Sequence, residues 1–171
     1  MFIRKISAVA VGCGLLLAST VSFTQDHRGP STAEERQQAL EYIHNWLADP
    51  LGPQAKEQYT WVLEWAIQVP DIHVHVCTLI DLPKGNKKDS STIFGAMVMT
   101  QTAFAINNRD KESDLMAEFQ AGVEGALHVY ELLLKTNPKD RQPYLDDLIQ
   151  RRDAGTLAQF VKERAATECK N

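Results

Sequence analysis

Residues 92–106, TIFGAMVMTQTAFAI, run for fifteen positions without a charge. On a helical wheel Ile93, Met97 and Phe104 fall on one side and Phe94, Val98 and Ala105 on another, so no face is strongly polar. A helix apolar all round has to be enclosed by other elements. At ~1.5 Å per residue the stretch spans about 22 Å, short for a bilayer, and charges flank it at Lys87, Lys88 and Asp89 and again at Arg109 and Asp110. The expected fold is all-α: a single domain of about six helices in antiparallel pairs around a central buried helix at residues 91–106.

The start of the chain reads differently. Arg4 and Lys5 precede the apolar run ISAVAVGCGLLLA, which opens into STVSFTQ. That order of charge, apolar run and small residues is the pattern of a secretory signal, so residues 1–24 are expected to be a signal peptide and the protein to be exported to the periplasm or outside the cell. No A-x-A site fixes the cut. Cys13, after Ala10-Val11-Gly12, loosely fits a lipoprotein signal, but acylation there would leave GLLLA on the mature chain. Residues 25–30 are polar, end in Gly29-Pro30 and read as a disordered lead-in, which leaves 31–171 for one all-α domain.

The whole chain carries a net charge of −4, and without residues 1–24, which hold two cations and no acid, the charge is −6. Phosphate backbones require clustered Lys and Arg. The only basic cluster, Lys84, Lys87 and Lys88, sits in the turn-rich DLPKGNKKDSS loop. Nucleic acid is therefore not an expected partner, and no stable membrane span is expected in the mature chain.

Past Cys13 only Cys77 and Cys169 remain. In an oxidising compartment they have a single intramolecular pairing, and a Cys77–Cys169 disulfide is expected.

Local signals place the other helices. Ser31-Thr32-Ala33-Glu34 reads as a capping box with Ser31 as the cap, opening a helix whose inward stripe is Leu40, Ile43 and Leu47. Asp49-Pro50-Leu51-Gly52-Pro53 stops it. Residues 54–69 form a second helix, with Tyr59, Trp61, Val62, Trp65 and Ala66 over more than half its circumference, and Trp46, Trp61 and Trp65 are read as core packing. Residues 72–80, IHVHVCTLI, are the one stretch with strand-like alternation, yet a lone strand has no partner and a helix is equally compatible with so short a run. Asp89 or Ser90 is expected to cap the central helix. The longest helix follows, at about 113–135, with Met116, Phe119, Val123, Leu127, Tyr130 and Leu134 inward and Glu118, Glu124, His128 and Glu131 outward. Gly122 and Ala126 would let a neighbour come close. Asn137-Pro138 breaks the chain before two short helices, around Tyr144, Leu145, Leu148 and Ile149 and then Leu157, Phe160 and Val161.

YELLLKTNPKD, residues 130–140, resembles the end of a tetratricopeptide repeat, with no second copy at the repeat spacing, so it implies a helical hairpin and no repeat array. More broadly, the order of a signal peptide, YTWVLEWAIQVPDIHV (59–74), AGVEGALHVYELLLK (121–135) and YLDDLIQRRDAGTLAQFVKE (144–163) is similar to exported bacterial α-helical proteins with no assigned activity. That likeness implies the fold and export, and assigns no catalytic residue or ligand.

Chemistry has few footholds. His73, His75 and Cys77 would share a face of an extended segment, and imidazole with thiolate suits zinc or copper. A disulfide at Cys77 would remove the sulfur, which leaves His73 and His75 as the metal candidates. Glu41 and His44 form one E-x-x-H, where a di-iron site needs two. Glu124 and His128 make an i,i+4 pair on a face read as solvated. There is no G-x-S-x-G, H-E-x-x-H, P-loop, G-x-G-x-x-G or C-x-x-C-H. No cofactor and no catalytic residue is assigned. The leading expectation is a non-catalytic domain that binds a protein, peptide or envelope component. The alternatives are a small secreted hydrolase using His73, His75 or Glu124/His128, and a zinc or copper protein built on His73 and His75.

Overall fold

A computed structural model describes residues 28–82, 87–109 and 114–169. They form an all-α domain of six helices: α1 (Ala33–Ala48), α2 (Ala55–Gln68), α3 (Lys87–Asn107), α4 (Leu115–Thr136), α5 (Pro143–Asp153) and α6 (Leu157–Glu168). A short 3-10 turn, Pro138–Asp140, joins α4 to α5. No strand occurs among the described residues, and none of their helices is long and apolar enough to cross a membrane. The signal-peptide reading of residues 1–24 lies outside the described residues.

The uncharged stretch is the centre of the domain. Along α3, Ile93, Ala96, Met97, Val98 and Met99 are buried, as are the polar Thr92, Gln101 and Thr102. The Thr100 and Thr102 hydroxyls donate back to the carbonyls of Ala96 and Val98, so uncharged polar groups are satisfied within the helix. α4 packs along α3, α1 and α2 cover another side of α3, and α6 closes on α4. The helix begins at Lys87, ahead of the expected caps, so Asp89 lies in its first turn. An acidic side chain there opposes the positive end of the helix dipole.

α3 and α4 approach closely because α4 is small where they meet. A Cβ added at Gly122 would stand 2.8 Å from Gln101 Cγ, and one at Gly125 would stand 2.3 Å from Thr100 Cγ2. On the other side of α3, Trp46 and Tyr59 lie against Gly95. Trp46 and Trp65 are buried, and Trp61 stacks on Trp65 with ring centroids 6.0 Å apart. These indoles serve packing between α1, α2 and α3.

Several local expectations shift. The capping box of α1 is one residue later, with Thr32 Oγ1 accepting from Glu35 N–H and the Glu35 carboxylate accepting from Thr32 N–H. Ser31 is committed elsewhere: its N–H and hydroxyl both donate to Asp71, at 2.6 and 2.8 Å. The α1 core positions are Ala39, Ile43 and Trp46, with Leu40 and Leu47 packed at their edge. In the lead-in, residues 28–30 have no regular structure, but Arg28 pairs with Glu35 and donates to Gln68. On α4, Glu118 and Met116 exchange the roles read from the sequence. Glu118 is buried, and Met116 is 41% exposed.

Candidate binding groove

Residues 72–79 form neither strand nor helix, because no second strand exists among the described residues to pair with them. They run beside α3 and bend at Thr78, where the Leu79 N–H donates to the Cys77 carbonyl. Asp71 holds Arg109 at its end of α3, and four residues later the His75 carbonyl accepts from Gln101 Nε2 at 2.8 Å. Ile72, Leu79 and Ile80 anchor the two ends in the core.

The middle is pinned by Glu118. Its carboxylate accepts from the His75 backbone N–H at 2.7 Å and lies 3.0 Å from His75 Nδ1. The Glu118 side chain is 5% exposed and the imidazole 46% exposed. A carboxylate removed from water needs donors, and His75 presents both of its N–H groups to it. Gln101, fully buried against Gly122, completes the anchor by donating to the same residue.

Beyond this clamp the segment borders an open groove of about 640 Å³ between the start of α4 and the end of α6. Leu115, Met116 and Phe119 line it from α4, and Lys162, Ala165, Ala166 and Cys169 line it from α6. These spacings, three and four residues apart, put each set on one helix face. His75, Val76, Cys77 and Thr78 form its third wall. Val76 is half exposed, as Met116 nearly is. Cys77 and Cys169 are bonded to each other, with Cα atoms 5.5 Å apart, and this link closes the groove.

The two candidate metal histidines line different pockets. His73 lines a small pocket of about 20 Å³ with Asp71, Phe104, Arg109 and Glu118, whereas His75 and Cys77 face the groove. Among the described residues no three His, Cys, Asp or Glu side chains are placed to hold a metal, and the Cys77 sulfur is consumed by the disulfide. Glu41 and His44 are exposed on α1. Glu124 and His128 are exposed on α4, where the Glu124 carboxylate accepts from Gln120.

Glu118, which holds His75, is expected on the outer face of its helix from the sequence and is buried in the structure. It belongs to the stripe Glu118, Gly122, Gly125, Val129 and Leu133, all buried at intervals of three and four. That stripe was the available signal, and the charge at its head masked it.

A second cluster of charge sits on the Asp71 side of the segment. Partial burial pushes the Asp71 carboxyl up, but hydrogen bonds from Ser31 and the nearby Arg109 guanidinium outweigh it and hold the group below the usual aspartate range. Asp71 thereby ties the start of α1 to the end of α3.

Comparisons with protein-family models, with curated proteins and with solved structures return no match to this chain.

Proposed function

We propose that this protein is an exported, non-catalytic binding domain whose ligand-binding surface is the groove between the start of α4, the end of α6 and residues 75–78. The observation that carries the reading is an open trough of about 640 Å³ in which Val76 and Met116 stay uncovered beside Leu115 and Phe119. Contiguous apolar surface around a concavity marks binding sites. The disulfide wall supports a place in an oxidising compartment, in line with the signal-like residues 1–24. The exported helical proteins that the sequence resembles carry no assigned activity, so the resemblance supports export and fold alone.

The test is panning of a peptide library on the purified chain, scored against Met116→Asp. Peptides that bind the parent chain and fail on Met116→Asp support the groove. Binding that ignores this substitution overturns it. Export is checked by fractionating cells and weighing the recovered chain: an intact mass in the cytosolic fraction refutes it.

A second reading, a small hydrolase, draws on one contact. His75 and Glu118 meet at 3.0 Å at the edge of the groove, an arrangement in which the carboxylate orients the ring and the other ring nitrogen accepts a proton from water. The binding reading is preferred because the same carboxylate holds the His75 backbone, which is what a structural clamp does. Turnover of a panel of small esters that disappears in His75→Ala would establish the hydrolase.

A further inference from the structure

We infer that the occupant of the groove is an extended peptide segment that pairs by its backbone with residues 74–76, sets an apolar side chain on Leu115, Met116 and Phe119, and brings a carboxylate to Lys162. This rests on the binding reading above and specifies its ligand.

The backbone of the segment supplies the first reason. In an extended chain the N–H and C=O of one residue point to the same side, and those of its neighbours to the other. His75 spends both groups inward, its N–H on Glu118 and its C=O on the Gln101 amide. Val74 and Val76, on either side of it, therefore direct theirs outward. Between residues 72 and 79 the only backbone–backbone hydrogen bond among the described residues is Leu79 N–H to the Cys77 carbonyl, a tight turn that bends the chain at Thr78 and leaves the edge at Val74 and Val76 with no backbone partner among the described residues. Such an edge is what strand addition uses, with main-chain hydrogen bonds for affinity and alternate side-chain pockets for selectivity.

Charge gives the second reason. Two charged side chains of α6 reach the groove. Glu168 is paired with Arg164 at 3.7 Å, while Lys162 makes no ion pair among the described residues. A peptide carboxylate, from an acidic side chain or a free C-terminus, complements it. The clamp contributes as well: Glu118 and Gln101 hold the edge extended before any ligand arrives, which lowers the ordering cost of binding.

The experiment uses short fluorescent peptides that alternate valine and threonine and end in a free carboxylate, titrated onto the purified chain by anisotropy. Controls are the amidated peptide, a copy N-methylated at alternate amides, Lys162→Gln and Met116→Asp. Expected results are loss of binding on N-methylation and on Met116→Asp, slower hydrogen exchange at the Val74 and Val76 amides, and weakening of roughly twofold to fivefold on amidation or in Lys162→Gln. Binding that survives N-methylation but not Met116→Asp overturns the extended-edge inference and leaves the groove reading standing. A carboxylate peptide that binds no better than its amide overturns the role of Lys162. Absence of binding by every peptide, with a different ligand still lost in Met116→Asp, rejects the peptide and keeps the groove. Binding unchanged in Met116→Asp rejects both.

Discussion

The Glu118 carboxylate holds His75 twice, through its backbone N–H at 2.7 Å and its ring Nδ1 at 3.0 Å, across 43 residues of chain. One buried acid on α4 thereby fixes the path of a segment that has no secondary structure of its own. Removing the acid takes away the acceptor of the His75 N–H.

Glu118→Ala is accordingly expected to destabilise the domain by about 2 to 4 kcal/mol, through an unpaired N–H and the space left behind. Glu124→Ala, on the exposed face of the same helix, should stay within about 0.5 kcal/mol of the parent. Denaturant unfolding of the two variants gives the comparison, and exchange of the His75 amide should quicken only in the first. Equal stability of the two would remove Glu118 from its place as clamp.

Gly125→Ala should cost about 1 to 3 kcal/mol, because the new Cβ would lie 2.3 Å from Thr100 Cγ2 and 2.8 Å from Thr100 Cβ, forcing α3 and α4 apart. Adding Thr100→Ala relieves only the first of these contacts, so recovery should be partial. Thermal melts of the single and double variants test this. Full recovery in the double variant would show that the branched side chain, and not the helix separation, sets the limit.

Asp71 links the domain to pH. Its folded carboxyl ionises below the ordinary aspartate range, so the unfolded chain takes up a proton at a higher pH than the folded one. The stabilisation is complete above the unfolded value and is lost as pH falls through the folded one. In Asp71→Asn the acid limb of the stability profile should be shallower than in the parent, with a lower plateau at neutral pH. Unfolding curves collected between neutral and strongly acidic pH would show it, and an unchanged acid limb would count against the Ser31–Asp71–Arg109 cluster.

The Cys77–Cys169 bond closes a loop across a separation of 92 residues. Loop-closure entropy then predicts a loss of about 4 to 5 kcal/mol on replacing both cysteines with alanine. α6 should stay docked through Leu157, Val161 and Ala165, which are buried independently of the bond. Chemical denaturation reports the first effect and amide exchange along α6 the second. A variant as stable as the parent would mean that the unfolded chain gains little freedom from the cut.

Much of the helical outline was legible in residue order. Pro50 and Pro53, Pro70, and Asn137-Pro138 punctuate the chain where helices stop, and periodicity at three and four residues marks α1, α2 and α4. Cap positions moved by a residue because Ser31 had a distant acceptor in Asp71. The alternation at 72–80 was compatible with an extended segment and with a helix, and the stretch is neither strand nor helix, because its partners are side chains of α3 and α4. Met116 and Glu118 were misplaced for a related reason: at the end of a helix the neighbours are other chain segments, and they decide which side is inside.

Composition and local pattern alone determined that this chain is helical, that one uncharged stretch lies at its centre, and that Cys77 is matched with Cys169. These follow from short-range steric and hydrophobic preferences, which each stretch carries by itself. The tertiary structure decided that a glutamate would be buried, that His75 would be held by it, and that Val76 and Met116 would stay uncovered beside a disulfide. Those outcomes depend on contacts between residues tens of positions apart, whose energies exist only once the helices have packed.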